Sequence, residues 1–283
     1  MTYTISIEDA KAQFPDYEFV KALTPSAQKC AFHVRDLEGN DLCLKIISPD
    51  YELGMLEREI LALQTLAHDG IARLVEFTLS TRGGVSRRFI LEEFVDGHDL
   101  TEDLSHAPWT LGRLAEVFVQ ICNALGAMRE SNIVHRDLKP SNIRVDTCGR
   151  PRIIDFGLAR HLDLPDMTRT EDGAQKGTPI YFAPEQFEGT KYDIDHRADL
   201  WAIGVLMFQA MCGCHPFYKS GMSLAELRCA VCECANHFGI PEFTGLSHAV
   251  QVLLRKLLAK QREQRPSDAR YVAKILQRIG AEK

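Results

Sequence analysis

The residues best placed to do chemistry lie in one polar run, His135-Arg136-Asp137-Leu138-Lys139-Pro140-Ser141-Asn142. Thirteen residues after Asn142 comes Asp155-Phe156-Gly157. Two carboxylates and an amide oxygen are hard donors, the kind Mg²⁺ prefers. Asp137 could accept or orient the proton of an incoming hydroxyl, and Asn142 and Asp155 could offer oxygens to a metal. That set suits phosphoryl transfer, where catalysis is mostly positioning and charge neutralisation. Taken singly, Asp and Asn in polar loops are turn formers or helix caps. Only the ensemble at this spacing points to a reaction.

A third segment, Gly177-Thr178-Pro179-Ile180-Tyr181-Phe182-Ala183-Pro184-Glu185, follows in the same order. Together the three resemble the Hanks-type Ser/Thr protein kinase family, over roughly residues 20–278. The Pro184-Glu185-Gln186 ending is similar to bacterial members. The resemblance implies an α+β, two-lobe protein-kinase fold with a small β-rich lobe, a larger helical lobe and the active site in the cleft. It implies a phosphotransferase using ATP and Mg²⁺, with Mn²⁺ as a substitute metal, on Ser or Thr of protein substrates, with autophosphorylation.

Carried over residue by residue, Asp137 orients the hydroxyl, Lys139 contacts the transferring phosphate, and Asn142 and Asp155 hold metal. Leu42-Cys43-Leu44-Lys45 matches the family's V-A-I-K strand, so Lys45 should reach the α/β-phosphates. Its acidic partner should lie on the next helix, where Glu57 and Glu59 are candidates and family spacing favours Glu59. Phe89 to Gly97 is similar to the strand-to-hinge segment, which puts the Glu93 carbonyl and Val95 amide at adenine and Asp99 at ribose. Glu92 then falls at the gatekeeper position, and a carboxylate there must be paired or turned to water. Lys45 and nearby polar groups are its candidate partners. Thr178 marks Ser/Thr specificity, and Arg136 is placed to pair with a phosphorylated Thr168 or Thr170. Glu171 and Asp172 could instead supply permanent negative charge. Glu185 with Arg265, Asp199 beneath the catalytic loop, and the spine positions Leu63, Leu74, His135 and Phe156 are scaffold.

One departure stands out. The family's G-x-G-x-x-G should occupy the first hairpin, where this chain has Leu23-Thr24-Pro25-Ser26-Ala27-Gln28-Lys29-Cys30, without glycine. Glycine lets backbone approach phosphate and present N–H donors, and Pro25 removes one donor outright. Ser26, Gln28 and Lys29 side chains are candidate replacements, with weaker ATP binding expected. The departure motivates an alternative from another class, a nucleotide-sensing pseudokinase or scaffold. A small-molecule kinase of the aminoglycoside-phosphotransferase type shares the Asp, Asn and Asp logic but lacks the Ala183-Pro184-Glu185 segment.

The elements that must position these residues are legible in outline. Cys30–Val34 and Leu42–Ile47 read as strands flanking a turn at residues 37–41. Leu53, Leu56, Ile60, Leu63, Leu66 and Ala67 form a helical stripe. Ile71–Leu79 and Phe89–Val95 read as strands around Arg82-Gly83-Gly84, so the first ~95 residues are strands with one helix. Helices are expected at Leu111–Met128, Trp201–Cys212, Leu224–Asn236, Ala249–Ala259 and Ser267–Ile279. One kinase domain over 1–283 is expected, with a small lobe to about residue 95, a hinge at about 93–100 and a large lobe from about 100.

The chain has 283 residues, 45% hydrophobic and 25% charged, with net charge −6. That is ordinary globular composition with no basic footprint for nucleic acid. No stretch is apolar enough for a membrane span, and the start has no secretory leader pattern. Nine cysteines without such a leader suit a reduced, cytoplasmic setting. Cys212, Cys214, Cys229, Cys232 and Cys234 lie close in sequence and raise a zinc site, against the reading of small core thiols.

Overall fold

A computed structural model describes residues 2–26, 28–161, 179–188, 194–234 and 238–281. Thr168, Thr170, Glu171, Asp172 and Thr178 lie outside the described residues. The chain packs as two compact units, one formed by residues 1–67 and 72–95, the other by 68–71 and 96–283.

The first unit is built on a five-stranded antiparallel sheet ordered β1-β2-β3-β5-β4. Its strands are β1 (Glu18–Ala22), β2 (Lys29–Arg35), β3 (Asp41–Ile47), β4 (Leu74–Arg82) and β5 (Val85–Glu93). Strand alternation divides the sheet into two chemically different faces. Cys30, Phe32, Val34, Leu42, Leu44, Ile46, Phe89 and Leu91 form an apolar cluster with Ala10 and Phe14. Those last two belong to or cap a helix that the sequence pattern does not reveal, α1 (Ile7–Gln13), started by Ser6 accepting from Asp9 N–H. β1 is likewise not legible in the sequence. Both are short; α1 is tied to β4 by Gln13 donating to the Ser80 carbonyl, and β1 pairs with β2. The opposite sheet face carries Lys29, Ala31, Cys43, Lys45, Ile90 and Glu92, as the β2–β3 and β3–β5 registers require. The expected helical stripe forms α2 (Leu53–Thr65), burying Leu56, Glu59, Ile60, Ala62 and Leu63.

The second unit is mainly helical. A small sheet, β6 (Gly97–Asp99), β8 (Ile143–Asp146) and β9 (Pro151–Ile153), lies near α3 (Leu100–Leu104), and β7 (Ile133–Val134) pairs with β10 (Arg160–His161). Gly97 is needed in that sheet. Its φ is +144°, and an added Cβ would lie 2.0 Å from the Val145 carbonyl oxygen.

The large helices are α4 (Leu111–Glu130), α6 (Arg197–Cys212), α9 (His248–Leu257) and α10 (Ala269–Ala281). Shorter ones are α5 (Pro184–Glu188), α7 (Leu224–Cys232) and α8 (Pro241–Thr244). α6 is apolar on every side and buries Trp201, Ile203, Val205, Leu206 and Phe208, which makes it the central helix of the unit. Gly204 lets α9 come close, since a Cβ there would sit 2.8 Å from Leu257 Cβ. α7 ends at Cys232, earlier than its sequence pattern suggests. Among the described residues no helix is long and apolar enough to cross a membrane.

Candidate active site

The β8–β9 hairpin explains the spacing between Asn142 and Asp155. Ile143 pairs with Ile153, so the residues just outside the pair, Asn142 and Ile154, meet across the ladder, with Ile154 N–H donating to the Asn142 carbonyl at 2.9 Å. Asp155 follows directly, held at φ +61° in the left-handed region, and its Oδ1 accepts from Gly157 N–H at 3.3 Å. Such a φ is uncommon for a residue with a side chain, though Asp tolerates it better than most. A 3-10 turn at Pro140–Asn142 brings Asn142 back under Asp137.

Asp137, Lys139 and Asn142 form one cluster. Lys139 Nζ donates to Asp137 Oδ2 at 2.7 Å. Asn142 Nδ2 donates to the Asp137 carbonyl at 2.9 Å and to Asp137 Oδ2 at 3.3 Å. Because the amide nitrogen is committed to Asp137, Oδ1 is the end of the Asn142 side chain that could meet a cation.

The loop that presents Asp137 is braced from beneath. Arg136 has φ +67°, again left-handed. Asp199, on α6, accepts from His135 N–H at 2.8 Å through Oδ2 and from Arg136 N–H at 2.9 Å through Oδ1. Burial pushes the Asp199 carboxyl above its ordinary pKa, while His135 and the backbone N–H bonds from His135 and Arg136 pull it down. The His135 ring packs on Phe156 with centroids 5.1 Å apart. Gln186 on α5 adds a brace that sequence reading misses. Its Nε2 donates to the Arg136 carbonyl at 2.9 Å while its Oε1 accepts from Ala183 N–H at 3.0 Å.

α5 is itself pinned by the Glu185–Arg265 pair, a two-point bond of 2.6 and 2.8 Å. Arg265 also donates to the carbonyls of Ala259, Lys260 and Arg197 and lies over the Trp201 ring at 5.0 Å. Every donor direction of that buried fork therefore has use, which is what a buried guanidinium requires.

In the first unit Lys45 Nζ donates to Glu92 Oε2 at 2.7 Å. This settles the partner of the gatekeeper carboxylate, which is 2% exposed. Its other oxygen, Oε1, is buried without a hydrogen-bond partner among the described residues. Glu59, expected to meet Lys45, is fully buried and is ion-paired with Lys29, while Tyr51 Oη donates to its Oε2 at 3.3 Å. Glu57, the other candidate on the same helix, is exposed. Lys29 is thus the first residue of β2 and turned inward, rather than a loop side chain.

The glycine-free turn is closed on itself. Ser26 Oγ accepts from the N–H of Gln28 at 3.2 Å and of Lys29 at 3.0 Å. Ser26 N–H donates to the Lys29 carbonyl at 2.9 Å. These amides already have acceptors within the turn. Asp99 serves as the N-cap of α3, accepting from Thr101 N–H at 3.1 Å. Val95 is buried, and Glu93 N–H donates to the Arg73 carbonyl at 2.9 Å.

The donor set suits Mg²⁺. Among the described residues no three His, Cys, Asp or Glu side chains are grouped to hold a metal ion. One carboxylate and one amide oxygen, Asp155 and Asn142, match an ion that takes few protein ligands and completes its shell with water and phosphate. The cysteines offer no such group. Burial pushes the Cys212 thiol up to about 12, and Cys229 and Cys234 lie 3.5 Å apart at the surface.

The family model for the protein kinase domain matches residues 29–278. The chain is 32% identical over 209 residues to a DNA damage-responsive serine/threonine-protein kinase, RqkA, of Deinococcus radiodurans, covering 71% of this chain and 30% of the relative. It is 30% identical over 246 residues to the serine/threonine-protein kinase pkn3 of Myxococcus xanthus, covering 84% of this chain and 44% of the relative. It is 29% identical over 259 residues to AtPK1/AtPK6 of Arabidopsis thaliana, covering 88% and 52%. The chain therefore spans less than half the length of the two bacterial relatives. With its helical unit, its five-stranded sheet and its Asp137–Lys139–Asn142 cluster in place, the chain belongs to the Hanks-type serine/threonine protein kinase family.

Proposed function

We propose that this chain transfers the γ-phosphate of Mg-ATP to Ser or Thr hydroxyls of protein substrates, and that its own Thr168 and Thr170 are among the acceptors. The observation that carries the reading is the Asp137 carboxylate held by both Lys139 and Asn142. Asp137 accepts a hydrogen bond from the incoming hydroxyl and takes up its proton as the new O–P bond forms and the bond to ADP breaks. Lys139 moves between that carboxylate and the transferring phosphate, so charge on the phosphate is met by a cation already in reach. Lys45 holds α/β-phosphate oxygens, and the Glu93 carbonyl, Val95 amide and Asp99 serve the nucleoside. Asn142 and Asp155 would hold Mg²⁺, which when bound neutralises charge on the phosphates. Thr178 confers the preference for Ser/Thr hydroxyls. A cytoplasmic setting and soluble protein partners accompany this reading.

A second reading, a nucleotide-sensing pseudokinase, is favoured by one observation, the turn at Ser26–Lys29 in which the N–H groups of Ser26, Gln28 and Lys29 are bonded internally. Intact mass before and after incubation with Mg-ATP separates the two, using phosphatase-treated wild type and Asp155→Asn. Phosphate gain in the wild type alone, mapped to Thr168 or Thr170, supports the kinase. No gain in either protein, with a generic protein substrate also untouched, removes it.

A further inference from the structure

The face of the first-unit sheet opposite the α1 cluster carries two lysines, each with its own buried acid. Lys45 on β3 bonds Glu92 of β5, and Lys29 on β2 bonds Glu59 of α2. Register makes the relation between the lysines specific. Ala31 pairs directly with Lys45, and Lys29 pairs with Ile47. Directly paired residues share a face and alternate residues return to it, so Lys29 and Lys45 are diagonal neighbours on one face. They are enclosed to the same degree, 6% and 8% exposed.

Lys29 also closes the turn in which the N–H groups of Ser26, Gln28 and Lys29 are already bonded. Ser26 Oγ takes the N–H of Gln28 and of Lys29 itself. A phosphate chain approaching this turn finds the N–H groups of Ser26, Gln28 and Lys29 already spent, so a side-chain cation is the donor best placed to meet it. Lys29 supplies that charge on the correct face. Its acid, Glu59, is fixed by the helix and by Tyr51, and the Lys29 ammonium lies 5.8 Å over the Tyr51 ring.

We propose that Lys29 is a second phosphate-binding lysine, positioned by Glu59 of α2, and that it supplies the phosphate interaction which the glycine-free turn does not provide, while Glu92 positions Lys45. This deepens the ATP-dependent reading above and rests on it. The bland alternative is that Lys29–Glu59 is only an internal ion pair that fastens α2 to the sheet.

The test is equilibrium binding of ATP and of adenosine to the full chain, for wild type, Lys29→Met, Lys29→Arg and Lys45→Met. Removing one charge-assisted bond to phosphate should weaken ATP about tenfold or more. Adenosine, which has no phosphate, should bind Lys29→Met nearly as it binds wild type. The ATP-to-adenosine preference should therefore collapse in Lys29→Met and be partly restored in Lys29→Arg. If Lys29→Met keeps the wild-type preference, whether both affinities fall together or neither moves, Lys29 is structural and the inference is overturned alone. If wild type itself shows no preference for ATP over adenosine, the ATP-dependent reading falls and takes this inference with it.

Discussion

Asp199→Asn tests how far the buried Asp199 carboxylate holds the His135–Asp137 loop in place. The wild-type side chain accepts from two neighbouring N–H groups, at 2.8 Å from His135 and 2.9 Å from Arg136. An amide has one acceptor, and its NH₂ end must face the other backbone N–H. One bond to a charged acceptor, worth about 1.5–3 kcal/mol, is lost, and a buried donor is left unsatisfied. Against this, Asn avoids burying a charge, whose cost is visible in the raised pKa of Asp199. A net loss of about 2–3 kcal/mol is expected. Arg136 sits in the left-handed region, which costs a residue with a Cβ about 1–2 kcal/mol, so the loop will relax when an anchor goes. Asp137 is the next residue. At about 1.4 kcal/mol per tenfold, turnover should fall roughly 10–100-fold, with ATP affinity little changed. Steady-state phosphorylation and urea unfolding measure the two quantities. Turnover within about twofold of wild type and a stability change below about 0.5 kcal/mol would refute the bracing argument.

Other predictions follow from the same geometry. Arg265→Leu leaves the largely enclosed Glu185 carboxylate without its counter-charge and should cost about 3 kcal/mol, while Arg265→Leu with Glu185→Leu should recover part of that loss in denaturant melts. Asp195 is held below the usual carboxylate range: burial works to raise its pKa, but hydrogen bonds and charge from Arg197 outweigh it. A carboxyl whose folded pKa is depressed contributes stability above its unfolded pKa of about 4, which is lost as pH falls through the folded value. The stability gap between wild type and Asp195→Asn should therefore be largest above about pH 5 and shrink steadily below about pH 4 in urea melts. Gly97→Ala should destabilise by more than about 1 kcal/mol in thermal unfolding, because both its φ and the Val145 carbonyl exclude a Cβ.

Much of the reactive constellation can be read from the chain alone. The polar run from His135 to Asn142 and the Asp155 that follows are local patterns, and a hairpin of the right length is enough to bring Asn142 beside Asp155. The strongly periodic helices and the apolar strands are legible for the same reason, since their signals repeat within a few residues. α1 and β1 are not, because a seven-residue helix and a five-residue strand carry too little periodicity and owe their existence to the sheet they pack on. The Glu185–Arg265 pair is legible from the motifs, but the partner of Glu59 was decided by the tertiary structure. Glu57 and Glu59 differ by two positions, and only packing decides that Glu59 is buried and meets Lys29. By sequence Lys29 reads as a loop cation, and the strand register turns it to the face it shares with Lys45. Local spacing determined which residue types are available for phosphoryl transfer. In the first unit, which charge neutralises which was decided by the sheet, because a buried ion takes whatever counter-charge the fold brings within reach.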